Sequence, residues 1–390
     1  MEDQKLFNWI DQIKPRYLDM ADEIFDNPEL GKQEFKTSKL LIDDLREMGF
    51  DVEVGIAGLE TAFKATYRRG QGGPNIGFLI EMDALEGIGH ACAHHMQGPS
   101  ILMAMSAIIN NFEGDNFQLT VYGTPAEETA HGKIIMLKEG YMKELDVALM
   151  MHGSPTTTAD VKSMAMTTAF ITFHGKASHA AIKPEEGRSA LDAMVLSFTG
   201  VEFLREHVRE DTRMHYSILE GTGAANVVPA KCRAKFYVRS YSREYLNEVE
   251  KRFENIIKGA ALMTDTTYDF QWGDRLNNKI PVLKLNEVLM EKAEEAGAPQ
   301  ISGPRKKTGS TDLSNVMYEI PGSCIRVAFV PVGTASHSQA FIDCGKTKEA
   351  HVAIEMGAKV LAASAVKLIE EPNIVAEIKA EFAENKAKLK

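Results

Sequence analysis

The sequence has little cysteine, no long basic run and no apolar stretch of membrane-spanning length. Its 390 residues include 4 cysteines, too few for a disulfide framework, so each is interpreted as a buried apolar residue or a metal ligand. The longest basic run is 305–307, and the net charge is -11, which argues against nucleic acid as a partner. The longest apolar run, 101–109, is under half of the roughly 20 residues that cross a bilayer. The amino terminus lacks a basic segment followed by an apolar one, so we expect a soluble, cytoplasmic protein with no membrane partner.

Several catalytic motifs are also missing. The sequence has no Gly-x-Ser-x-Gly nucleophile elbow and no His-Glu-x-x-His helix. The stretch 345–347 resembles the end of a phosphate-binding loop, but Ala340 stands where that loop needs its first glycine. The stretch 221–226 lacks the third glycine of a dinucleotide fingerprint. Serine-hydrolase, nucleotide-binding and single-helix zinc-protease chemistries are therefore unsupported.

Short apolar runs alternate with helical patterns over the first part of the chain. After two helical patterns within the first 50 residues, strands are predicted at 76–82, 117–122 and 147–151, with helices at 100–112 and 133–143 between them. This β-α-β-α-β order predicts a mostly parallel sheet covered by helices.

The pattern changes near residue 164. Alternating strands are predicted at 164–174, 214–220, 231–239 and 267–272, with helices at 187–207 and 243–263, which indicates an α+β unit. The α/β pattern then resumes with a helix at 282–296, a strand at 325–330 and a helix at 346–370. We therefore expect an α/β catalytic domain in two segments, 1–163 and 279–390, interrupted by an inserted α+β domain, 164–278.

Metal-binding side chains follow four of the strands predicted for the α/β domain. In order along the chain they are Cys92 and His94, the pair Glu127-Glu128, His152, and His337. The carboxyl ends of parallel strands meet at one edge of a sheet, where functional residues collect. Taken singly, each of these residues can be read as an exposed histidine, a solvated acidic pair or a buried thiol. Their joint placement at successive strand ends favours a site.

The donor types indicate divalent metal ions. Cys92 and His94 are two residues apart, so in an extended loop their side chains project to the same side. Thiolate, imidazole and carboxylate suit zinc, or manganese where oxygen dominates. Five candidate ligands exceed the needs of one tetrahedral ion, whereas two ions that share a ligand would use all five and leave a position for water. The spare carboxylate of the glutamate pair is then a natural general base.

The motifs at 82–94, 124–128, 175–180, 226–229 and 309–312 together resemble those of the M20 family of metallopeptidases and amidohydrolases. The resemblance spans most of the chain and is closest to the branch with a Cys-x-His metal motif. It implies two divalent ions per subunit, zinc or manganese, Glu127 as the general base and Asp83 as a ligand-orienting residue. The metal ligands that it implies are Cys92, His94, Glu128, His152 and His337.

The same resemblance assigns a role to the inserted domain. It implies a lid and dimerisation domain, a homodimer or higher homo-oligomer, and His179 and Asn226 as residues that polarise the scissile carbonyl. Arg239, at the end of a strand of this domain, is a candidate for gripping a substrate carboxylate, with a surface ion pair as the alternative. Ala93 and His95 depart from the Gly and the Asp or Asn that the family commonly has, which leaves substrate identity open.

These inferences predict a two-metal hydrolase that cleaves the amide bond of a small N-acyl amino acid, a dipeptide or an aryl-amide conjugate. Water held by the ions would attack the carbonyl while Glu127 takes its proton. A carboxypeptidase acting on longer peptides is one alternative. A catalytically silent relative that binds a peptide or metabolite is another, although the intact Glu127 and the full ligand set argue against it.

Overall fold

The computed structural model describes residues 2–221 and 223–389, which form two compact units. The first unit contains the residues up to Lys162, together with Lys279–Thr308 and Asn315–Lys388. The second unit contains Ser163–Asn278 and Gly309–Ser314. The second unit therefore includes a short downstream segment, 309–314, that lies within the second catalytic segment drawn from the sequence.

Helices and strands are numbered separately in chain order. The helices are α1 (Glu2–Asp26), α2 (Phe35–Glu47), α3 (Gln97–Asn111), α4 (Gly132–Lys138), α5 (Ala190–Arg205), α6 (Arg243–Thr264), α7 (Leu283–Glu295), α8 (Leu313–Glu319), α9 (Gln339–Asp343), α10 (Lys348–Glu370) and α11 (Pro372–Ala387). The strands are β1 (Asp51–Val54), β2 (Phe63–Arg69), β3 (Asn75–Glu81), β4 (Phe117–Thr124), β5 (Val147–Ser154), β6 (Thr158–Ala159), β7 (Ala165–His174), β8 (Arg213–Glu220), β9 (Lys231–Ser240), β10 (Thr267–Leu276) and β11 (Gly322–Ala328).

The sheet of the first unit has the order β1-β2-β4-β3-β5-β11-β6 within the described residues. Its centre, β4-β3-β5-β11, is parallel, which confirms the predicted mostly parallel sheet. All residues of β3 and β5 are buried, as expected for strands whose faces are both covered by helices. The antiparallel strands β1, β2 and β6 have no counterpart in the sequence prediction, because they are short or only partly buried and carry a weak apolar pattern.

Two boundaries differ from the sequence prediction, and the first of them affects the site. Strand β5 continues past Met151 to Ser154, so His152 lies in the strand itself and not in the loop after it. Glycine at 153 hides this extension from a hydrophobicity pattern. A Cβ there would lie 2.7 Å from the Phe329 ring, so the position accepts no larger residue without rearrangement. Helix α4 ends at Lys138, earlier than predicted, and Gly140 follows with a φ of +91°.

The second unit is the predicted α+β fold. Its antiparallel sheet has the order β10-β7-β9-β8, and α5 and α6 pack on it around a core that includes Phe173, Phe236 and Phe253. Both helices begin at a serine cap, since Ser189 accepts the N–H of Asp192 and Ser242 accepts that of Tyr245. None of the helices in the described ranges combines the length and the hydropathy that a membrane span requires.

Candidate metal centre

Four parallel strands bring the candidate ligands to one edge of the first unit's sheet. Strand β3 leads into the loop with Cys92 and His94, β4 leads into the loop with Glu128, β5 carries His152, and the chain after β11 leads to His337. One donor atom each of Cys92, His94 and His152 lie within 4.8 Å of one another, and the same holds for Cys92, Glu128 and His337. The structure therefore brings together all five ligands that the sequence predicts.

A left-handed residue shapes the Cys-x-His turn. Ala93 has a φ of +61°, a conformation that costs an alanine roughly 1–2 kcal/mol relative to glycine. This conformation turns the chain between Cys92 and the short helical turn that begins at His94. Ala126, which directly precedes Glu127, and His337 also have positive φ values. Strained backbone of this kind clusters at functional sites, and here it falls on His337 and beside Cys92, His94 and Glu127, all candidate site residues.

The two buried imidazoles are oriented through their Nδ1 atoms. Nδ1 of His94 hydrogen-bonds the backbone carbonyl of Asp83 at 2.8 Å, and Nδ1 of His152 hydrogen-bonds that of Gly153 at 2.7 Å. Because a carbonyl only accepts, each Nδ1 donates its proton, which leaves Nε2 as the ring nitrogen that could bind a metal ion. Nε2 of His152 lies 3.6 Å from the Cys92 sulfur. This arrangement, with a backbone acceptor behind the ring, is the usual way of fixing a metal-binding histidine.

Asp83 also holds the loop that carries Glu128, a member of the second donor group. Its Oδ2 accepts the backbone N–H of Glu128 at 2.9 Å, so a single buried aspartate contacts the loops that carry His94 and Glu128. The Glu128 Oε1 lies 3.1 Å from Nε2 of His337. The backbone N–H of His337 donates to the carbonyl of Ala91 at 3.0 Å, which ties its loop to the residue beside Cys92. These contacts agree with an orienting role for Asp83.

The cluster fits a divalent metal. Nε2 of His94 and Oε1 of Glu128 are buried atoms that form no hydrogen bond, although donors and acceptors of this kind are normally satisfied. Thiolate, imidazole and carboxylate together form the ligand set of zinc and related ions. Cys92 is grouped with His94 and His152 and also with Glu128 and His337, so it neighbours all four other candidate ligands and is the candidate for a shared ligand.

The ionisation of the cluster follows from its neighbours. Burial alone would raise the pKa of Cys92, but the adjacent imidazoles outweigh it and bring the pKa to about 6. The neighbouring Cys92 and Glu128 side chains raise the pKa of His337 to about 10. Burial opposes ionisation of Glu128 too, yet the contact with His337 lowers the pKa of that carboxyl. The thiol and the carboxyl are thus ionised beside a protonated imidazole, and a bound cation would replace that proton, since only neutral imidazole is a metal ligand.

Glu127 lies beside this cluster. It is half-buried, and a carboxylate oxygen lies within 4.8 Å of donor atoms of His94 and Glu128. Its backbone carbonyl accepts from Nδ1 of His131 at 2.9 Å. The residue predicted as general base is therefore within reach of the same space that the ligands surround.

A buried glutamate from the amino-terminal region holds the Glu127 loop. Glu34 is fully buried, and its carboxylate accepts the backbone N–H of Ala126 and the hydroxyl of Thr61, both at 2.8 Å. Burial raises the pKa of Glu34 even though both hydrogen bonds act in the opposite direction. Sequence reasoning missed Glu34 because it follows a loop and carries no recognisable metal or catalytic pattern.

Replacing Glu34 should destabilise this loop and the protein. In Glu34→Ala the Ala126 amide and the Thr61 hydroxyl lose their acceptor inside the protein, which costs about 1–3 kcal/mol for each buried group left unsatisfied. We expect a lower midpoint in urea unfolding, whereas Glu34→Gln, which keeps an acceptor for the amide, should lose less. Equal losses in the two variants would contradict a stabilising role for these hydrogen bonds.

The remaining predicted residues lie in the second unit. Nδ1 of His179 accepts the backbone N–H of Ala181 at 3.3 Å, and the carbonyl of Asn226 accepts that of Ala180 at 2.9 Å. Arg239 lies 3.4 Å from the Ser310 hydroxyl and over the Tyr237 ring. It forms no ion pair with the described residues, so the alternative of a surface ion pair finds no support.

The other histidines near the Cys-x-His turn are buried among aromatic rings. His95 donates through Nε2 to the carbonyl of Gly345 at 2.9 Å, and its ring packs edge-on against Phe25. His90 packs against His95. Burial lowers the pKa of both, to about 4 for His95, so both are neutral at neutral pH. These rings pack behind the turn, and neither belongs to a group of neighbouring metal donors among the described residues.

Comparisons with known proteins agree with this fold. Residues 163–264 match the family model of a peptidase dimerisation domain. The chain is 28% identical to one of the subunits of the p-aminobenzoyl-glutamate hydrolase of Escherichia coli, over 97% of this chain and 95% of that one. It is 30% identical to the Xaa-Arg dipeptidase of Homo sapiens, over 96% and 90%. A dinuclear metal binding peptidase from the M20 family of Bacillus subtilis has the same fold, with a TM-score of 0.72, 20% identity and coverage of 92% and 98%.

A parallel sheet with candidate metal-binding side chains at its carboxyl edge, together with a segment that matches a peptidase dimerisation domain, is typical of hydrolases of the peptidase type. Its full-length similarity to the human dipeptidase shows the particular family: the chain belongs to the M20 family of metallopeptidases and amidohydrolases.

Proposed function

We propose that the protein is a dinuclear metal-dependent hydrolase that cleaves the amide bond of a small N-acyl amino acid, dipeptide or aryl-amide conjugate. The observation that carries the proposal is the cluster of five donors at one sheet edge, with Cys92 common to two groups of neighbouring donors. The names of the relatives support the substrate class, since they include a p-aminobenzoyl-glutamate hydrolase, a hippurate hydrolase and Xaa-Arg dipeptidases.

In this proposal each donor has one task. Cys92, His94, Glu128, His152 and His337 would hold two divalent ions, zinc or manganese. When bound, such ions polarise a carbonyl oxygen and make water more acidic. Asp83 orients His94 and the Glu128 loop through the hydrogen bonds described above. The ligand loops are thereby held in place before any ion arrives.

Glu127 moves the proton. Its carboxylate takes a proton from the attacking water and delivers it to the nitrogen of the departing amine, which cannot leave as an anion. His179 and Asn226 would bind the scissile carbonyl, and Arg239 would bind a substrate carboxylate through its two-pronged guanidinium. The match of 163–264 to a dimerisation domain supports the further proposal that the second unit is a lid and dimerisation domain of a homodimer or higher homo-oligomer.

Metal analysis combined with a hydrolysis screen tests this function. We expect divalent metal in the purified protein and hydrolysis of p-aminobenzoyl-glutamate, N-acyl amino acids or dipeptides. Dialysis against a chelator should abolish turnover, and addition of Zn²⁺ or Mn²⁺ should restore it, because the ions supply the electrostatic stabilisation of the reaction. Undiminished hydrolysis by protein shown to be metal-free would reject the metal-dependent mechanism.

The length of the substrate is tested in the same screen. Dipeptides and acylated single amino acids should be cleaved faster than peptides of three or more residues. A preference that instead grows with peptide length would assign the protein as a carboxypeptidase. Absence of hydrolysis together with bound metal would favour a silent binding protein.

A further inference from the structure

A buried ion pair lies directly behind the candidate metal ligands. Lys133, the second residue of α4, is fully buried, and its Nζ lies 2.7 Å from Oε1 of Glu81, the last residue of β3. Gln97 donates to the other Glu81 oxygen at 2.7 Å and accepts the Glu81 backbone N–H at 2.9 Å. Burying two charges costs several kcal/mol per ion even when they are paired, so the pair is a weak means of stabilising the fold. Its position indicates another use.

The Glu81 carboxylate faces a metal ligand. Its Oε2 lies 3.2 Å from Nε2 of His94, the ring nitrogen that does not contact Asp83. The two atoms form no hydrogen bond with each other, and the His94 nitrogen has no other hydrogen-bond partner although it is buried. Lys133 at Oε1 and the side-chain amide of Gln97 at Oε2 both favour the ionised form of this carboxylate. A negative charge is thus fixed beside the position where His94 would hold an ion.

We propose that Glu81 and Lys133 form a charge-setting pair that tunes how tightly the site holds its cations. Glu81 adds negative charge next to the ion that His94 binds, and Lys133 offsets part of that charge. The proposal rests on the metal site of the proposed function. It makes both residues positioning residues, since neither is required to touch the substrate.

Opposite effects of the two residues follow from their charges. Glu81→Gln keeps the shape but removes the negative charge, and it leaves the buried Lys133 cation close to the site. Lys133→Met removes the positive charge and leaves Glu81 acting on the ions alone. A role in packing alone would weaken metal binding in both variants, because either change disturbs the same buried contact.

Zn²⁺ affinity measured by competition with a chromophoric chelator tests the pair on the full-length protein. We expect Glu81→Gln to bind Zn²⁺ roughly 10- to 100-fold more weakly than wild type, the range typical of residues just outside a metal's ligand shell. Lys133→Met should bind at least as tightly as wild type. The double variant should recover most of the affinity lost in Glu81→Gln. Thermal unfolding of the metal-free proteins shows whether each variant folds. If Lys133→Met does not fold, Lys133→Gln, which also removes the positive charge, takes its place.

Two buried ion pairs elsewhere serve as matched controls. Glu250 contacts Arg243 at 3.0 Å in the second unit, and Lys359 contacts Glu355 at 2.7 Å on α10. Glu250→Gln and Lys359→Met should leave Zn²⁺ affinity unchanged. Unchanged affinity in Glu81→Gln, or equal weakening in both site variants, would overturn the charge-setting pair. Failure of the wild-type protein to bind Zn²⁺ would instead overturn the metal site itself.

Discussion

Glu127→Gln is expected to lower kcat by about 10²- to 10⁴-fold, the contribution that a positioned general base makes. The amide has the size of the carboxylate but takes no proton at neutral pH. It therefore can neither accept a proton from the attacking water nor deliver one to the leaving amine. Bound metal should persist, because the five proposed ligands are unchanged. The measurement is steady-state hydrolysis of p-aminobenzoyl-glutamate, or of whichever substrate the screen identifies, together with metal analysis of the same sample.

The structure offers a clear rival assignment for Glu127. A carboxylate oxygen lies within 4.8 Å of donor atoms of both His94 and Glu128, so Glu127 is close enough to the ligands to be one of them. Loss of metal in Glu127→Gln would make Glu127 a ligand, and full activity would remove it from the mechanism. Glu86→Gln, in the exposed part of the loop after β3, is the matched control and should retain both activity and metal.

For the central strands of the first unit, the sequence predicts their existence and order along the chain better than the residues at which they end. Strands such as β3 and β5 are buried on both faces, so their apolar runs are continuous and easy to recognise. The ends depend on residues such as Gly153, which continue the hydrogen-bonded ladder without adding hydrophobicity. The partly exposed strands β1 and β2 were missed because antiparallel pairing at a sheet margin needs little apolar surface.

At the site, the residues with metal-binding side chains were predicted from the sequence, whereas the residues that support them were not. The ligand candidates were recognisable because thiol, imidazole and carboxylate groups that follow successive strands together make up the donor set of a metal site. Glu34, Glu81 and Lys133 were not recognised, because their importance lies in contacts between distant segments. Glu34 reaches Ala126 across 92 positions, and Lys133 reaches Glu81 across 52. The sequence carries one signal for these three residues, which is that a charged residue, Glu81, ends an apolar strand.

Cys92→Ala is expected to remove the largest share of metal binding of any single ligand change. Cys92 shares one donor group with His94 and His152 and another with Glu128 and His337, so it neighbours all four of the other proposed ligands. Loss of a shared thiolate weakens both ion positions, so the drop in affinity should exceed the roughly 10- to 100-fold that changes outside the ligand shell cause. Hydrolysis should fall to background, and the measurement is metal content after equilibration with a fixed low concentration of free Zn²⁺.

Cys344→Ala separates this effect from general damage by loss of a thiol. Cys344 is half-buried like Cys92, but it belongs to no donor group among residues 2–221 and 223–389. It should keep wild-type metal content and activity. Cobalt adds a direct readout, since a thiolate bound to Co²⁺ gives a charge-transfer absorption that should be present in wild type and Cys344→Ala and absent in Cys92→Ala. Retention of that absorption in Cys92→Ala would show that another cysteine is the thiolate ligand. The strained φ of Ala93 in the Cys-x-His turn would then not be explained by metal binding at Cys92.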